Sequence, residues 1–103
     1  MPKRVLCCGT FDYLHPGHES FLNQAARLGE ELVVVVARDE NVERLKDRKP
    51  DHEEEIRRAR VESLGIAQKV QLGYEGQNLL QIVRDIRPDI IALGYDQSRP
   101  PGL

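Results

Sequence analysis

Three short stretches, Val5 to Cys8, Leu32 to Ala37 and Ile90 to Leu93, are apolar at every position and rich in β-branched residues. A strand with one solvated face alternates apolar and polar residues, because successive side chains point to opposite sides. Runs without alternation fit strands covered on both faces. Between the first two, Phe21, Leu22, Ala25 and Leu28 recur at helical spacing, with Pro16 suited to the first helical position and Gly29 to the stop. Asp51 and Glu54 have the spacing of a capping box, which predicts a second helix from about His52 to Leu64, closed by Gly65. Leu79, Ile82, Val83 and Ile86 form a third apolar stripe stopped by Pro88, and the short Lys69 to Leu72 segment before it reads as one more strand. Strands alternating with helices imply parallel pairing. The expected fold is therefore α/β, a Rossmann-like doubly wound parallel sheet with helices on both faces and its ligand site at the carboxyl ends of the strands.

The chain has 103 residues, so residues 1–103 are read as a single domain around one core, burying very roughly 65% of the surface exposed by the unfolded chain. Fifteen Lys and Arg face 17 Asp and Glu, for a net charge of −2. That balance argues against binding nucleic acid by phosphate neutralisation. A small phosphorylated ligand needs only a local basic cluster and stays open. The run from Leu32 to Ala37 is far below the ~20 residues of a membrane helix, and Met1-Pro2-Lys3-Arg4 leads into too short an apolar stretch for a signal peptide. The expectation is a cytoplasmic protein without a membrane partner. Cys7 and Cys8 are neighbours in a predicted strand, where a mutual bridge would be strained, and they read as reduced, small core residues. No cysteine and histidine spacing suggests zinc.

The first loop at a strand's carboxyl end reads Gly9-Thr10-Phe11-Asp12-Tyr13-Leu14-His15-Pro16-Gly17-His18. Gly9 allows close backbone approach to a ligand, and the free N–H groups of a helix beginning at Pro16 present partial positive charge to an anion. His15 and His18, three apart at that helix start, can both reach a phosphate bound there. The structural alternative for His18 is a hydrogen-bonded core histidine, since it shares a face with Phe21, Leu22 and Ala25.

This decapeptide resembles the HxGH signature of the cytidylyltransferase-like nucleotidyltransferases, a family that includes glycerol-3-phosphate cytidylyltransferase and the archaeal type of FAD synthase. Arg38-Asp39-Glu40-Asn41-Val42, Lys46 to Pro50, and Ala92-Leu93-Gly94-Tyr95-Asp96-Gln97 look most like the FAD synthase branch. The resemblance implies transfer of a nucleoside monophosphate from a nucleoside triphosphate, accompanied by Mg2+, to a phosphorylated acceptor, with release of pyrophosphate. It implies that Gly9, Thr10 and Phe11 lie along the nucleotide phosphates, that His15 and His18 stabilise charge on the α-phosphate, and that Gly94 and Asp96 border the nucleotide. Asp12 matches an acidic residue on the acceptor or metal side. Lys46 is similar to a catalytic lysine whose ammonium bridges acceptor and nucleotide phosphates. Arg57 matches a family arginine near the acceptor.

Each of these has a plainer reading. Lys46 to Lys49 is also a solvated charged loop, Asp96 also a turn former, and Glu53 to Arg57 and Glu54 to Arg58 are ordinary i,i+4 ion pairs. No direct protein ligand to a metal is legible. The family usually continues past the Gly-Tyr-Asp segment with a further strand and a triphosphate-contacting helix start, which this chain, ending at Leu103, is expected to lack. A sheet short of its last strand exposes an edge, so a homodimer is expected. For the acceptor, FMN with ATP comes first and glycerol 3-phosphate with CTP second. The only rings available for stacking are Phe11, Tyr13, Phe21, Tyr74 and Tyr95. A nucleotide-binding or regulatory module without turnover is the alternative of another class.

Overall fold

In the computed structural model, which describes residues 3–74 and 79–93, the unbroken apolar runs are strands of one parallel sheet. β1 (Arg4–Gly9), β2 (Glu31–Val36), β3 (Lys69–Leu72) and β4 (Ile90–Leu93) lie in the order β3-β2-β1-β4, and each adjacent pair is parallel. The helices are α1 (Pro16–Ala26), α2 (Asp39–Lys46), α3 (Glu54–Ser63) and α4 (Leu79–Ile86). None of the described helices is long and apolar enough to cross a membrane.

The twofold period of a strand divides each run between two cores. Val5 and Cys7 of β1 and Leu32, Val34 and Val36 of β2 pack with Leu22 and Ala25 of α1 and Val61 of α3. Leu6, Val33 and Val35 face the other way, onto Ile82 and Ile86 of α4. Both faces of β1 and β2 are thus covered, which is why neither needed polar alternation, whereas Ile91 of the edge strand β4 is 51% exposed, so the third apolar run is not covered on both faces by the described residues. Cys7 and Cys8 fall on opposite faces, Cys7 in the first core and Cys8 against the second, and both are free thiols. Burial pushes Cys7 up to about 12, with the neighbouring Cys8 adding to it, and pushes Cys8 up to about 11. Neither is a nucleophile at neutral pH.

The chain steps outward from β1 to β2 to β3, then returns to place β4 on the other side of β1. The order reverses between β1 and β4, and in open α/β sheets the crevice at the carboxyl ends of such strands receives the ligand.

Four local expectations change. α1 ends at Ala26 with Arg27 as its C-cap, not at Gly29. A Cβ on Gly29 would stand 2.6 Å from the Lys3 carbonyl oxygen, so this glycine serves a close backbone crossing. α3 begins at Glu54 with Glu53 as N-cap and no side-chain cap bond, so the Asp51–Glu54 capping box does not form. Gly65, at φ +69, does close it. Residues 39–46, of which only Lys46 is read from the sequence as loop and the rest as no element, form α2. Its polar sequence carries little apolar periodicity, but Asp39 and Glu40 in the first turn and Arg44 and Lys46 in the last suit the helix dipole, and Asp47 ends it in the left-handed region at φ 58. Lastly, the Glu53–Arg57 and Glu54–Arg58 pairs are absent. Arg58 pairs with Glu55 and Glu62, and Arg57 with Asp39.

Candidate active site

β1 delivers the chain at Gly9 into the turn before α1. Phe11 there has φ 54, a conformation costing about 1–2 kcal/mol for a residue with a Cβ, and its ring is buried in the core beneath the loop. A Cβ on Gly9 would lie 2.8 Å from that ring. The absence of a side chain at Gly9 therefore makes room for the Phe11 ring. Gly9→Ala is expected to destabilise the chain by about 1–3 kcal/mol in urea unfolding, the usual cost of overpacking.

His15 is the N-cap of α1, the residue before Pro16 in the first turn. Its Nδ1 accepts the Gly17 N–H at 3.1 Å, and His18 Nδ1 accepts the His15 N–H at 3.3 Å, completing a capping box made of two imidazoles. A ring nitrogen that accepts from a backbone N–H carries no proton, so the proton of each neutral ring sits on Nε2. The ring centroids are 4.0 Å apart, and the His18 ring also lies 5.6 Å from Phe11. His18 is 4% exposed, sharing its helical face with Leu22 and Ala25, while His15 is exposed. Both readings of His18 hold together: it is buried and hydrogen-bonded, and its ring packs, tilted by 41°, against an exposed partner at a helix N-terminus.

Asp12 closes the opposite wall. Its carboxylate accepts the backbone N–H groups of Asp51 at 2.8 Å and His52 at 2.9 Å. His52 Nδ1 lies 2.9 Å from the Asp12 carbonyl oxygen and 3.0 Å from its carboxylate, which makes that nitrogen a donor. Burial alone would raise the Asp12 carboxyl, but these hydrogen bonds outweigh it and hold it below the ordinary carboxylate range. A depressed native value stabilises the fold above the unfolded value near about 3.9 and loses that contribution as pH falls through the native one. The stability gap between wild type and Asp12→Asn is thus expected to be widest at neutral pH and to close in acid, as read by urea unfolding across pH. Tyr13 extends this wall, its hydroxyl donating to the Asp51 carboxylate.

Arg57 knits the loops together. It is 0% exposed, and its guanidinium donates to the His52 carbonyl at 2.9 Å, the Thr10 carbonyl at 2.8 Å and the Asp39 carboxylate at 2.6 Å. Asp39 and Glu54 then cap each other's helices: the Asp39 N–H donates to Glu54 at 2.9 Å and the Glu54 N–H to Asp39 at 3.2 Å. Arg38 reaches the other Glu54 oxygen at 3.0 Å and the Gly73 carbonyl at 2.8 Å, and Asn41 reaches the Tyr74 carbonyl at 2.9 Å. The loops that follow β1, β2 and β3 are bonded into one rim.

The structure thus brings Gly9, Thr10, Phe11, Asp12, His15, His18 and Arg57 to this rim. It assigns Thr10 and Arg57 to each other, and Asp12 to the 51–52 turn. Lys46 is exposed at the end of α2, about 10 Å along the helix from Asp39, and among the described residues it forms no ion pair. Gly94 and Asp96 lie outside the described residues. Sequence reasoning missed Arg38, Asp39, Glu54 and His52 as builders of the rim. A signal existed for His15 as cap, since proline at the first helical position marks the residue before it. Among the described residues no three His, Cys, Asp or Glu converge in a way that could hold a metal ion.

The two-imidazole helix cap thus stands at the reversal point of the parallel sheet, and a family model described as cytidylyltransferase-like matches residues 6–101. The chain belongs to that family. It is 56% identical over 95 residues to the FAD synthase of Aciduliprofundum boonei, covering 92% of this chain and 62% of the relative. It is 54% identical over 94 residues to the FAD synthase of Methanosarcina barkeri, covering 91% of this chain and 66% of the relative. The chain thus spans less than two thirds of these curated relatives. Among solved structures it is similar to the lipopolysaccharide core biosynthesis protein of Thermoplasma volcanium, with a TM-score of 0.88 and 41% identity, covering 97% of this chain and 80% of that one.

Proposed function

We propose that this chain carries the nucleotidyl-transfer site of an FMN adenylyltransferase, joining AMP from ATP to the phosphate of FMN and releasing pyrophosphate. The observation that carries the reading is the paired cap of His15 and His18, set in a chain that shares about half its residues with proteins named FAD synthase. FMN's phosphate oxygen is already anionic at neutral pH and needs no protein nucleophile, so the protein's work is positioning and charge stabilisation.

The α-phosphate of ATP sits at the start of α1, where backbone N–H groups and the two Nε2–H donors face the charge that accumulates as the FMN oxygen attacks. Gly9, Thr10 and Phe11 shape the backbone beside it, and Gly94 and Asp96 border the nucleotide. Lys46, carried by α2, meets the acceptor phosphate from the flank that Asp12 and Arg57 hold in place. Magnesium would enter with the triphosphate and offset its charge. Such a reaction fits the cytoplasmic address expected from the sequence. Pairing of two copies belongs to the same reading, and a monomer in sedimentation would remove that part.

The test is incubation of the purified chain with ATP, Mg2+ and FMN, following FAD by chromatography and pyrophosphate release in parallel, with CTP and glycerol 3-phosphate as the second pair. FAD formation is the expected result. Turnover of the second pair alone would replace the acceptor, and ATP binding without pyrophosphate release would leave a nucleotide-binding module.

A further inference from the structure

With no tryptophan, two phenylalanines and three tyrosines, the chain has few ways to hold a planar ring, and the structure narrows them further. Phe11 is buried beneath Gly9, and Phe21 packs against the core below α1. Tyr74 packs on the α4 side of the sheet with its hydroxyl on Asp85. Tyr95 lies outside the described residues. Among the rings the structure describes, Tyr13 stands apart. It is 57% exposed, two residues before His15, yet it is fixed twice: its hydroxyl is tied to Asp51, and its ring meets the His52 ring nearly at right angles, at 74° and 4.9 Å between centroids.

An exposed tyrosine ordinarily samples several rotamers and loses that freedom when it binds. One tethered at its tip and braced at its side has lost it in advance, which favours stacking on an incoming ring. Its anchors belong to the turn before α3, on the crossover from β2 to β3, whereas β4 lies on the other flank of β1. A nucleotide in the β1–β4 crevice therefore leaves Tyr13 to the acceptor. Arg48 stands close enough for its charge to be felt at the Tyr13 hydroxyl, so a basic group accompanies the ring where a phosphorylated acceptor would enter.

Resting on the function proposed above, we infer that Tyr13 is the stacking platform for the planar ring system of the acceptor, and that it selects a phosphorylated heteroaromatic acceptor over an aliphatic phosphate. Steady-state kinetics with FMN and ATP on wild type, Tyr13→Leu and Tyr13→Phe test it, with melting temperatures recorded for each. Tyr13→Leu is expected to raise KM for FMN about tenfold, the usual loss on removing a stacked ring, while KM for ATP stays put. Tyr13→Phe, which keeps the ring and loses the tether to Asp51, is expected to recover most of the lost FMN affinity. An unchanged KM for FMN in Tyr13→Leu, or a rise in KM for ATP instead, overturns the inference while the enzyme reading stands. If wild type forms no FAD, equilibrium dialysis with FMN and with glycerol 3-phosphate decides. FMN binding that Tyr13→Leu abolishes keeps the platform and sinks only the activity. Absence of FMN binding to wild type sinks both.

Discussion

Replacing His18 by asparagine is expected to lower pyrophosphate release from ATP and FMN about 10²- to 10³-fold with little loss of stability, the range typical for removing one positioned donor or acid. Asparagine suits the question because of how His18 is held. Its Nδ1 accepts the His15 N–H as half of the α1 capping box, and the Oδ1 of asparagine can stand in nearly the same place. What asparagine cannot supply is the proton on Nε2, the atom this reading aims at the phosphate. Alanine would confound the two. It removes the cap acceptor, at a cost of about 1 kcal/mol, and opens a hole beside the Phe11 ring, 5.6 Å away. Turnover is measured beside thermal melting on both variants. A folded His18→Asn protein that releases pyrophosphate at the wild-type rate takes the imidazoles out of the reaction.

The layering of the fold was legible because it depends on a short-range regularity, the absence of alternation in Val5 to Cys8 and Leu32 to Ala37, and the structure places those runs where both faces are covered. Lys69 to Leu72, with its thin signal, also paired as a strand. The His15–Pro16–Gly17–His18 constellation was legible for the same reason, since cap, first turn and third position are neighbours in sequence. What could not be read were contacts closed by the fold across long separations. Asp51 and Glu54 have the spacing of a local box, yet Glu54 caps against Asp39, 15 residues earlier, and Asp51 donates its N–H to Asp12, 39 residues earlier. Tertiary partners outbid the local ones because three loops meet at one edge with many backbone donors to satisfy. Gly9 shows the same limit: nothing in its neighbours tells that the Phe11 ring, on a left-handed backbone, lies where a Gly9 Cβ would stand.

Arg57→Met is expected to be the most damaging substitution to stability, by about 3 kcal/mol or more, lowering the melting temperature by more than about 10 °C in a domain of this size. Methionine keeps the aliphatic stem inside the fold but withdraws all the N–H donors at once. The carbonyls of Thr10 and His52 and the carboxylate of Asp39 then lose partners at 2.8, 2.9 and 2.6 Å. Asp39 is 34% exposed, so its charge can rehydrate, and the loss falls at the lower end of what breaking a buried pair costs. Lysine should not rescue it, because one ammonium cannot serve three acceptors spread around a planar fork. Asp39→Asn gives the second arm. It removes the charge and leaves one oxygen, which can serve Arg57, while its amide nitrogen cannot accept the Glu54 N–H that the second carboxylate oxygen accepts; combined with Arg57→Met it should still cost clearly less than the sum of the two alone. Additive losses would mean that the pair does not act as a unit. Turnover measured well below the melting point separates the remaining possibilities: Arg57 hydrogen-bonds the loop that carries His15 at the Thr10 carbonyl, so a folded Arg57→Met chain with full activity would show that this loop holds its shape without that tie.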